Sequence, residues 1–249
     1  MLVVLRLIRK IVGWADFILV CLVVYLLSWL PWPFGRHPVA RLFRVWCRAF
    51  ARALDVDIRV HQKHRRQHLP RRYILIANHP SAFEDIGIPA MFDVVSVAKL
   101  QVKDWFIAGR IARRAGTLFV DRDNPDSRKQ VIQEMVKAVN DGQNIALYPE
   151  GGCKGRRLFK EFKTGAFEVS FRTGVPILPV FLHYEAQDDF EWQPPYTLPD
   201  KIRHIMRAVN NRANYYVYDP MDPRDYADRY AMKAAAYALY QRWDAQYLE

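Results

Sequence analysis

The sequence predicts an α/β fold with a mostly parallel sheet flanked by helices, preceded by an N-terminal membrane-associated helical element. From residue 73 onward, short apolar runs of strand length alternate with amphipathic stretches of helix length, and this alternation is typical of βαβ units. The preceding part instead combines a long apolar run with a basic amphipathic stretch. We therefore divide the chain into N-terminal membrane-binding helices, residues 1–56, and an α/β domain, residues 57–249.

The apolar run FILVCLVVYLLSWL covers residues 17–30. Fourteen helical residues span about 21 Å, which is less than the roughly 30 Å of a hydrocarbon core. Asp16 limits the run upstream, Pro31 and Pro33 limit it downstream, and basic residues lie on both sides. The pattern favours a segment that enters and leaves one leaflet over one that spans the bilayer.

A basic amphipathic stretch follows, in which Arg41, Arg44, Arg48 and Arg52 recur at helical spacing. These arginines form one stripe of a helix, while aromatic and aliphatic residues occupy its other faces. Such a helix lies flat on an anionic bilayer surface, and the alternative is a solvated face of a core helix. Its position directly after the short apolar run favours the membrane interpretation.

The remaining elements are predicted in chain order from hydrophobic periodicity and from helix stop signals. Predicted strands cover residues 73–78, 94–100, 117–122, 144–150, 176–184 and 215–220. Predicted helices cover residues 82–92, 105–116, 127–142 and 162–174, and a closing helix begins near Arg224. Residues 185–213 show no clear pattern, and we assign them no role.

The net charge of +11 indicates an anionic partner, for which nucleic acid, anionic lipid and acidic cofactors are the candidates. The sequence has no recognition motif for nucleic acid, and the arginine stripe adjoins an apolar run. We therefore expect an anionic membrane surface as partner and no nucleic acid. The three cysteines, Cys21, Cys47 and Cys153, are widely separated and odd in number, so they predict neither a disulfide framework nor a metal site.

A polar block, NHPSAFED at residues 78–85, follows the first buried strand of the α/β domain. A histidine at this place, His79, suits proton abstraction near neutral pH. Glu84, with Asp85 as the alternative, could accept a hydrogen bond from the other ring N–H. The histidine and the acid would then be two of the three members of a catalytic triad. The missing nucleophile can be the hydroxyl of an acceptor alcohol. The alternative is a structural histidine beside a helix-capping acid.

Three further blocks lie at or near predicted strand ends. The segment GTLFVDR ends in the charged pair Asp121 and Arg122, and the basic turn YPEGGCKGRR occupies residues 148–157. Glycines in such a turn allow close approach of a ligand, and free N–H groups can bind an anion. The last block joins FKTGAF at residues 162–167 to VPILPV at residues 175–180. Taken alone, the first block is equally typical of an ion pair at a strand end, the second of a surface turn and the third of a core strand.

In this order, the blocks resemble those of the glycerolipid (lysophospholipid) acyltransferase family, which includes bacterial 1-acylglycerol-3-phosphate acyltransferase. The resemblance covers roughly residues 70–185. Its Asn-His-x-Ser-x-x-Asp, Phe-Val-Asp-Arg, Pro-Glu-Gly and Phe-Lys-x-Gly-Ala motifs fall on Asn78–Glu84, Phe119–Arg122, Pro149–Gly151 and Phe162–Ala166, and its fourth block falls on Val175–Val180. Glu84 replaces the aspartate of the first motif. Gly152 and Cys153 stand where the family commonly has threonine and an arginine implied in phosphate recognition.

The resemblance implies that His79 is the general base, that Glu84 orients it, and that no acyl-enzyme forms. It implies substrate binding by Lys99, Arg122, Glu150, Gly151, Gly152, Lys154, Arg156 and Lys163. The donor would be acyl-CoA or acyl-carrier protein, with no bound cofactor and no metal.

The expected acceptor is a lysophospholipid, 1-acylglycerol-3-phosphate, which would give phosphatidic acid. A lysophosphatidylcholine-like lipid or lyso-ornithine lipid is the alternative acceptor. The expected location is the cytoplasmic face of the inner membrane. A basic membrane scaffold or a nucleic-acid-binding protein is the non-enzyme alternative, and a scaffold of this fold would not need the histidine that is present.

Overall fold

The computed structural model describes residues 2–29, 37–65 and 68–248, and within these residues the chain forms a seven-stranded sheet with helices on both faces. The strands are β1 Asp57–Gln62, β2 Ile74–Ala77, β3 Val95–Lys99, β4 Leu118–Val120, β5 Ile145–Leu147, β6 Ile177–Tyr184 and β7 Arg212–Val217. The helices are α1 Leu2–Leu27, α2 His37–Ala53, α3 Glu84–Met91, α4 Ala108–Ala115, α5 Pro125–Asn140, α6 Gly165–Thr173, α7 Gln187–Phe190, α8 Leu198–Arg207 and α9 Arg229–Leu248. Short 3₁₀ helices cover Leu100–Asp104 and Pro223–Asp225.

The sheet has the strand order β1-β7-β6-β2-β5-β3-β4. Strands β2 to β6 are mutually parallel, β7 is antiparallel to β6, and β1 is parallel to β7. The prediction of a mostly parallel sheet flanked by helices is therefore confirmed. The carboxyl ends of β2 to β6 meet at one edge, which is where ligands bind in open α/β sheets.

The side chains of β2 face the two sides of the sheet alternately, and helices cover both sides. Ile74 and Ile76 face a core shared with α5, α6 and α9, whereas Leu75 and Ala77 face a core shared with α3 and α8. All four side chains are buried. Strands buried on both faces read as continuous apolar runs, and the YILIAN segment has this pattern.

Helix α1 is longer than the apolar run suggests, and the prediction that Asp16 limits it is wrong. The helix continues through Asp16, whose carboxylate forms an ion pair with Arg52 of α2 at 2.7 Å. By length and composition, Leu7–Leu27 is one helix that could cross a membrane. The prolines at 31 and 33 lie outside the described residues.

Helix α2 packs along α1 and against the α/β domain, and three arginines of its predicted stripe contact protein groups. Arg44 forms an ion pair with Asp93 at 3.4 Å, and Arg48 Nε donates to the carbonyl of Ala90 at 2.8 Å, near the end of α3. Arg52 is the partner of Asp16 described above. The stripe thus partly holds the N-terminal helices to the rest of the chain. The boundary predicted at residue 56 falls between α2 and β1, and the division into two domains stays a prediction.

Candidate active site

The loop after β2 carries the predicted dyad at the carboxyl edge of the sheet. Asn78 fixes the start of this loop, since its side-chain amide donates to the carbonyl of Leu182 at 2.9 Å and accepts from the Leu182 N–H at 2.7 Å. His79 follows and is 3% exposed. Two neighbouring parallel strands therefore determine where the imidazole lies.

Glu84 meets His79 across the loop from the first residue of α3. The His79 Nδ1 atom lies 3.2 Å from Glu84 Oε2, while Oε1 accepts from the Ser81 N–H at 2.9 Å and from the Tyr184 hydroxyl at 3.0 Å. The extra methylene of glutamate relative to aspartate does not prevent this contact. Asp85 lines the adjoining cavity and makes no described hydrogen bond to the imidazole.

Electrostatics in the dyad are dominated by burial. Burial lowers the pKa of His79, while the carboxylates of Asp85 and Glu150 act in the opposite direction. Burial raises the pKa of Glu84, and the hydrogen bonds from Tyr184 and Ser81 oppose that rise. Asp85 is accessible from the cavity, yet the surrounding protein is close enough for burial to raise the pKa of its carboxyl as well. A neutral imidazole with Nδ1–H directed at Glu84 has its Nε2 lone pair available as a base.

The imidazole is held between an aromatic ring and a sulfur atom. The ring of Tyr148 stacks on His79 with centroids 4.1 Å apart and planes 14° apart. Cys153 Sγ lies 3.6 Å from Nδ1 and 3.3 Å from Nε2. A sulfur in the ring plane at these distances would overlap Cε1, so it lies over the face opposite Tyr148. Cys153 therefore packs against the candidate base on one face and Tyr148 on the other.

The thiol of Cys153 is directed at the same loop, since it donates to the carbonyl of Ser81 at 3.2 Å. Burial raises the pKa of this thiol. A neutral thiol in this position is a packing group for His79. It does not have the electropositive environment of reactive cysteines.

Glu150 ties the dyad loop to the glycine-rich turn. One carboxylate oxygen accepts from the His79 N–H at 2.7 Å, and the other accepts from the Phe159 N–H at 2.8 Å. The residue is 2% exposed. Both oxygens are therefore used by backbone donors, and the structure places Glu150 in a positioning role rather than on a surface open to substrate.

Arg122 and Lys163 flank the two glycines that follow. Arg122 Nη1 donates to the Gly151 carbonyl at 2.9 Å, and a Cβ at Gly152 would lie 3.0 Å from the same nitrogen. Gly151 has φ +79°, and a Cβ there would lie 3.5 Å from Lys163 Cγ. The absence of side chains at both positions thus leaves room for two cationic groups beside the dyad loop.

The other predicted cations differ in position. Arg156 Nε lies 2.8 Å from both carboxylate oxygens of Glu191, and the guanidinium also pairs with Asp188. Its charge is therefore matched by carboxylates of the segment that showed no sequence pattern. Lys154 is exposed, with Nζ 4.6 Å from the ring centroid of Phe159. Lys99 is exposed at the carboxyl end of β3, where it makes no described contact with the dyad.

Sequence reasoning missed the contributions of Tyr184, Glu191 and Trp192. Tyr184 binds Glu84 directly, and the Trp192 N–H donates to the carbonyl of Pro80 at 2.7 Å. No short motif marks these residues, because each acts through a contact with a distant part of the chain.

An apolar cavity of about 390 Å³ begins at the dyad loop. Ser81, Ala82 and Asp85 form its wall on that side. The remaining walls come from α1, α2, α3, β3, the segment before α4, α4 itself and α8, and they include Phe17, Cys21, Phe43, Trp46, Phe50, Val102, Trp105, Ile107, Leu198, Ile202 and Ile205. The N-terminal helices thus cover a cavity that adjoins the candidate base.

Comparisons with known proteins agree with this geometry. The chain is 26% identical over 208 residues to a lyso-ornithine lipid O-acyltransferase of Pseudomonas aeruginosa, covering 80% of this chain and 79% of that protein. It is 25% identical over 170 residues to a 1-acyl-sn-glycerol-3-phosphate acyltransferase of Neisseria meningitidis, covering 66% of each. It is 32% identical over 123 residues to a lysophosphatidylcholine acyltransferase of Drosophila melanogaster, covering 48% of this chain and 22% of that protein.

The fold is also that of a solved structure. The 1-acyl-sn-glycerophosphate acyltransferase PlsC of Thermotoga maritima superimposes with a TM-score of 0.64 over 97% of both chains, at 17% identity. A family model described as Acyltransferase matches residues 57–183, just over half of the chain and including the whole dyad loop. The chain belongs to the acyltransferase family.

Proposed function

We propose that this protein transfers a fatty acyl group from a thioester donor, acyl-CoA or acyl-carrier protein, to the free hydroxyl of a lysophospholipid. The observation that carries the proposal is the buried His79–Glu84 pair on a loop whose next residues, Ser81 and Ala82, line an apolar cavity. The names of the related proteins, all acyltransferases of lysolipids or 1-acylglycerol-3-phosphate, support the same reaction class.

In this mechanism His79 Nε2 accepts the proton of the acceptor hydroxyl as its oxygen attacks the thioester carbonyl. Glu84 holds the Nδ1 proton and stabilises the imidazolium that forms, as the acid of a triad does. The tetrahedral intermediate collapses by breaking the C–S bond, and the imidazolium returns its proton to the leaving thiolate. The products are an ester and a free thiol. No enzyme nucleophile is required, and Cys153, packed on the ring face, takes no covalent part.

The cavity suits the acyl chain. Its walls are mainly aliphatic and aromatic, and each buried methylene contributes about 0.8 kcal/mol to binding. Ser81 and Asp85 lie where the cavity meets the dyad loop, which is the end at which the reacting carbonyl must lie.

For the acceptor we favour 1-acylglycerol-3-phosphate. Arg122 and Lys163 flank Gly151 and Gly152 beside the dyad loop, and a phosphate monoester is best held by several fixed cationic donors. These cations would compensate for the arginine that Cys153 replaces.

Lyso-ornithine lipid is the second candidate acceptor. The relative that matches 80% of this chain carries that name, and Arg156 is already matched by Glu191 and Asp188. Fewer cations are therefore free for a phosphate than the sequence suggests.

The membrane association we propose is in-plane, on the cytoplasmic face. Lys10, within α1, donates to the carbonyl of Met206, and just beyond the C-terminal end of α1 the carbonyl of Ser28 accepts from Arg114 Nε at 2.9 Å. These attachments are about 27 Å apart along the helix. A helix that is held to the α/β domain by two contacts this far apart cannot cross a bilayer while that domain stays in water. The exposed apolar face of α1 would instead enter one leaflet.

The test is an assay of the purified full-length protein in mixed micelles with labelled acyl-CoA or acyl-carrier protein and a panel of lysolipids. We expect ester formation on lysophosphatidate, and Arg122→Ala should raise its KM far more than that of the donor. Preference for lyso-ornithine lipid with an Arg122-independent KM would select the second candidate. Absence of transfer to every lysolipid would contradict the proposed reaction.

A further inference from the structure

Three consecutive large apolar side chains are exposed just before α4. Trp105, Phe106 and Ile107 are 46%, 81% and 39% exposed, although each of these side chains would gain stability from burial. The Trp105 carbonyl accepts from the Gly109 N–H at 2.9 Å, and a Cβ at Gly109 would overlap the Lys103 carbonyl. The turn is thus held tightly while Phe106 is largely exposed and Trp105 and Ile107 are partly exposed.

The turn is continuous with the exposed face of α1. The ring of Phe106 lies 5.9 Å from that of Tyr25, which also contacts Trp29 at 6.2 Å. The exposed apolar residues of α1 include Leu7, Ile8, Ile11, Val12, Ile18, Leu19, Leu22, Val23 and Leu26. Contiguous exposed apolar surface of this extent marks an interaction site.

Basic residues border this apolar surface. Lys103 and Arg113 are exposed on either side of the turn, and the Arg110 guanidinium lies 3.4 Å from the ring centroid of Trp29. Arg110 Nε also donates to the Ser28 hydroxyl at 3.0 Å. An apolar surface bordered by cations and interfacial tryptophans is complementary to the headgroup region of an anionic leaflet.

The same turn forms part of the cavity wall. Trp105 and Ile107 line the cavity, as do Phe17 and Cys21 of α1. An acyl chain that leaves the leaflet between the turn and α1 would therefore pass directly into apolar surroundings.

We propose that Trp105, Phe106 and Ile107 form a second membrane-inserting element, which enters the same anionic phospholipid leaflet as the outer face of α1. The element belongs to the α/β domain and places the cavity at the bilayer surface. This inference rests on the membrane association proposed above, but not on the acyl-transfer reaction.

Insertion can be measured without turnover by an environment-sensitive fluorophore. The label is attached to Phe106→Cys in a full-length chain whose Cys21 and Cys153 are replaced by serine, since Cys47 is fully buried. The matched control is Val60→Cys in the same background, because Val60 is 45% exposed on β1, at the opposite edge of the sheet. On phosphatidylglycerol–phosphatidylcholine vesicles we expect a blue shift and quenching by chain-labelled lipids at 106 only. Equal responses at 106 and 60, or none at 106 in vesicle-bound protein, would overturn the inference.

Affinity supplies a second measurement. Phe106→Asp should weaken vesicle binding about tenfold, whereas Phe106→Leu and Val60→Asp should bind as the wild type does. Since Phe106 is 81% exposed, the thermal unfolding of Phe106→Asp should be unchanged. If wild-type protein does not bind vesicles, the membrane association itself fails. If Phe106→Asp instead separates a dimer in detergent while vesicle binding is unchanged, the surface contacts a second copy and the inference is wrong.

Discussion

Replacing Tyr184 with phenylalanine removes one hydrogen bond from the carboxylate that orients the base. The Tyr184 hydroxyl donates to Glu84 Oε1 at 3.0 Å within a fully buried site, and this bond lowers the pKa of Glu84 against the effect of burial. Without it the pKa of Glu84 must rise, because the charged form loses more stabilisation than the neutral form. The active arrangement needs a charged Glu84 carboxylate that accepts from the Nδ1–H of His79. Because the pKa of Glu84 is higher in the variant, this arrangement becomes populated only at higher pH.

The size of the effect follows from the charge of the acceptor. A hydrogen bond to a charged group contributes about 1.5–3 kcal/mol, and 1.36 kcal/mol corresponds to about one pH unit. The acid limb of kcat/KM should therefore move upward by about one to two pH units in Tyr184→Phe. The limb is a property of the coupled pair.

The assay is kcat/KM for the lysolipid from about pH 5 to pH 8, the range in which histidine titrates. Tyr240→Phe is the matched control, since this hydroxyl is also fully buried but donates to the carbonyls of Ile76 and Val180 at 2.8 and 3.0 Å. It should lower stability and leave the limb in place. Superimposable profiles for Tyr184→Phe and wild type, or an equal movement in Tyr240→Phe, would refute the assignment of Glu84 as the orienting carboxylate.

Three further outcomes are expected. His79→Ala should reduce turnover by about 10²–10⁴-fold with little change in unfolding temperature. Glu84→Ala should reduce turnover more than Asp85→Ala does, and the reverse ranking would assign the orienting role to Asp85. Arg156→Ala should lower the free energy of unfolding by about 2 kcal/mol, measured by chemical denaturation, because it leaves the buried carboxylate of Glu191 without its cation. A selective rise in the KM for lysophosphatidate without loss of stability would contradict this role. Deleting residues 1–54 should give aggregated or inactive protein, since it removes the cavity wall formed by Phe17, Trp46 and Phe50. A soluble, fully active fragment in detergent-free buffer would show that this wall is dispensable.

Several strands could be predicted because their apolar runs are continuous. Residues 73–78, 144–150 and 176–184 contain β2, β5 and β6, which lie in the middle of the sheet and are covered on both faces. In contrast, β1 is an edge strand with a largely exposed pattern, and only Ile58 and Val60 of its sequence DIRVHQ are apolar. Pairing with β7, rather than its own hydrophobicity, makes this segment a strand.

The segment of residues 185–213 shows the same limit more clearly. It contains α7, α8 and the start of β7, but its helices are short, and Pro194 and Pro195 lie between them. Their stability comes from contacts with distant residues, such as the pairing of Glu191 with Arg156 and the Trp192 N–H bond to Pro80. Short helices owe more to tertiary packing than to intrinsic propensity, so local periodicity gives little indication of them.

The sequence by itself predicted the contact between His79 and Glu84, because the two residues are five positions apart across a single strand-to-helix turn. The orienting role of Glu84, with Asp85 as the alternative, stays a prediction. Only the tertiary structure decided which cations stay available, since Arg156 meets carboxylates more than thirty residues away and Arg122 meets the Gly151 carbonyl. It likewise placed Cys153 against the imidazole and joined α1, at Lys10 and at Ser28 just after the helix, to the α/β domain. The physical reason is the range of the interactions: backbone geometry sets the distance between near neighbours, whereas the partner of a distant charge or apolar face depends on how the whole sheet is assembled.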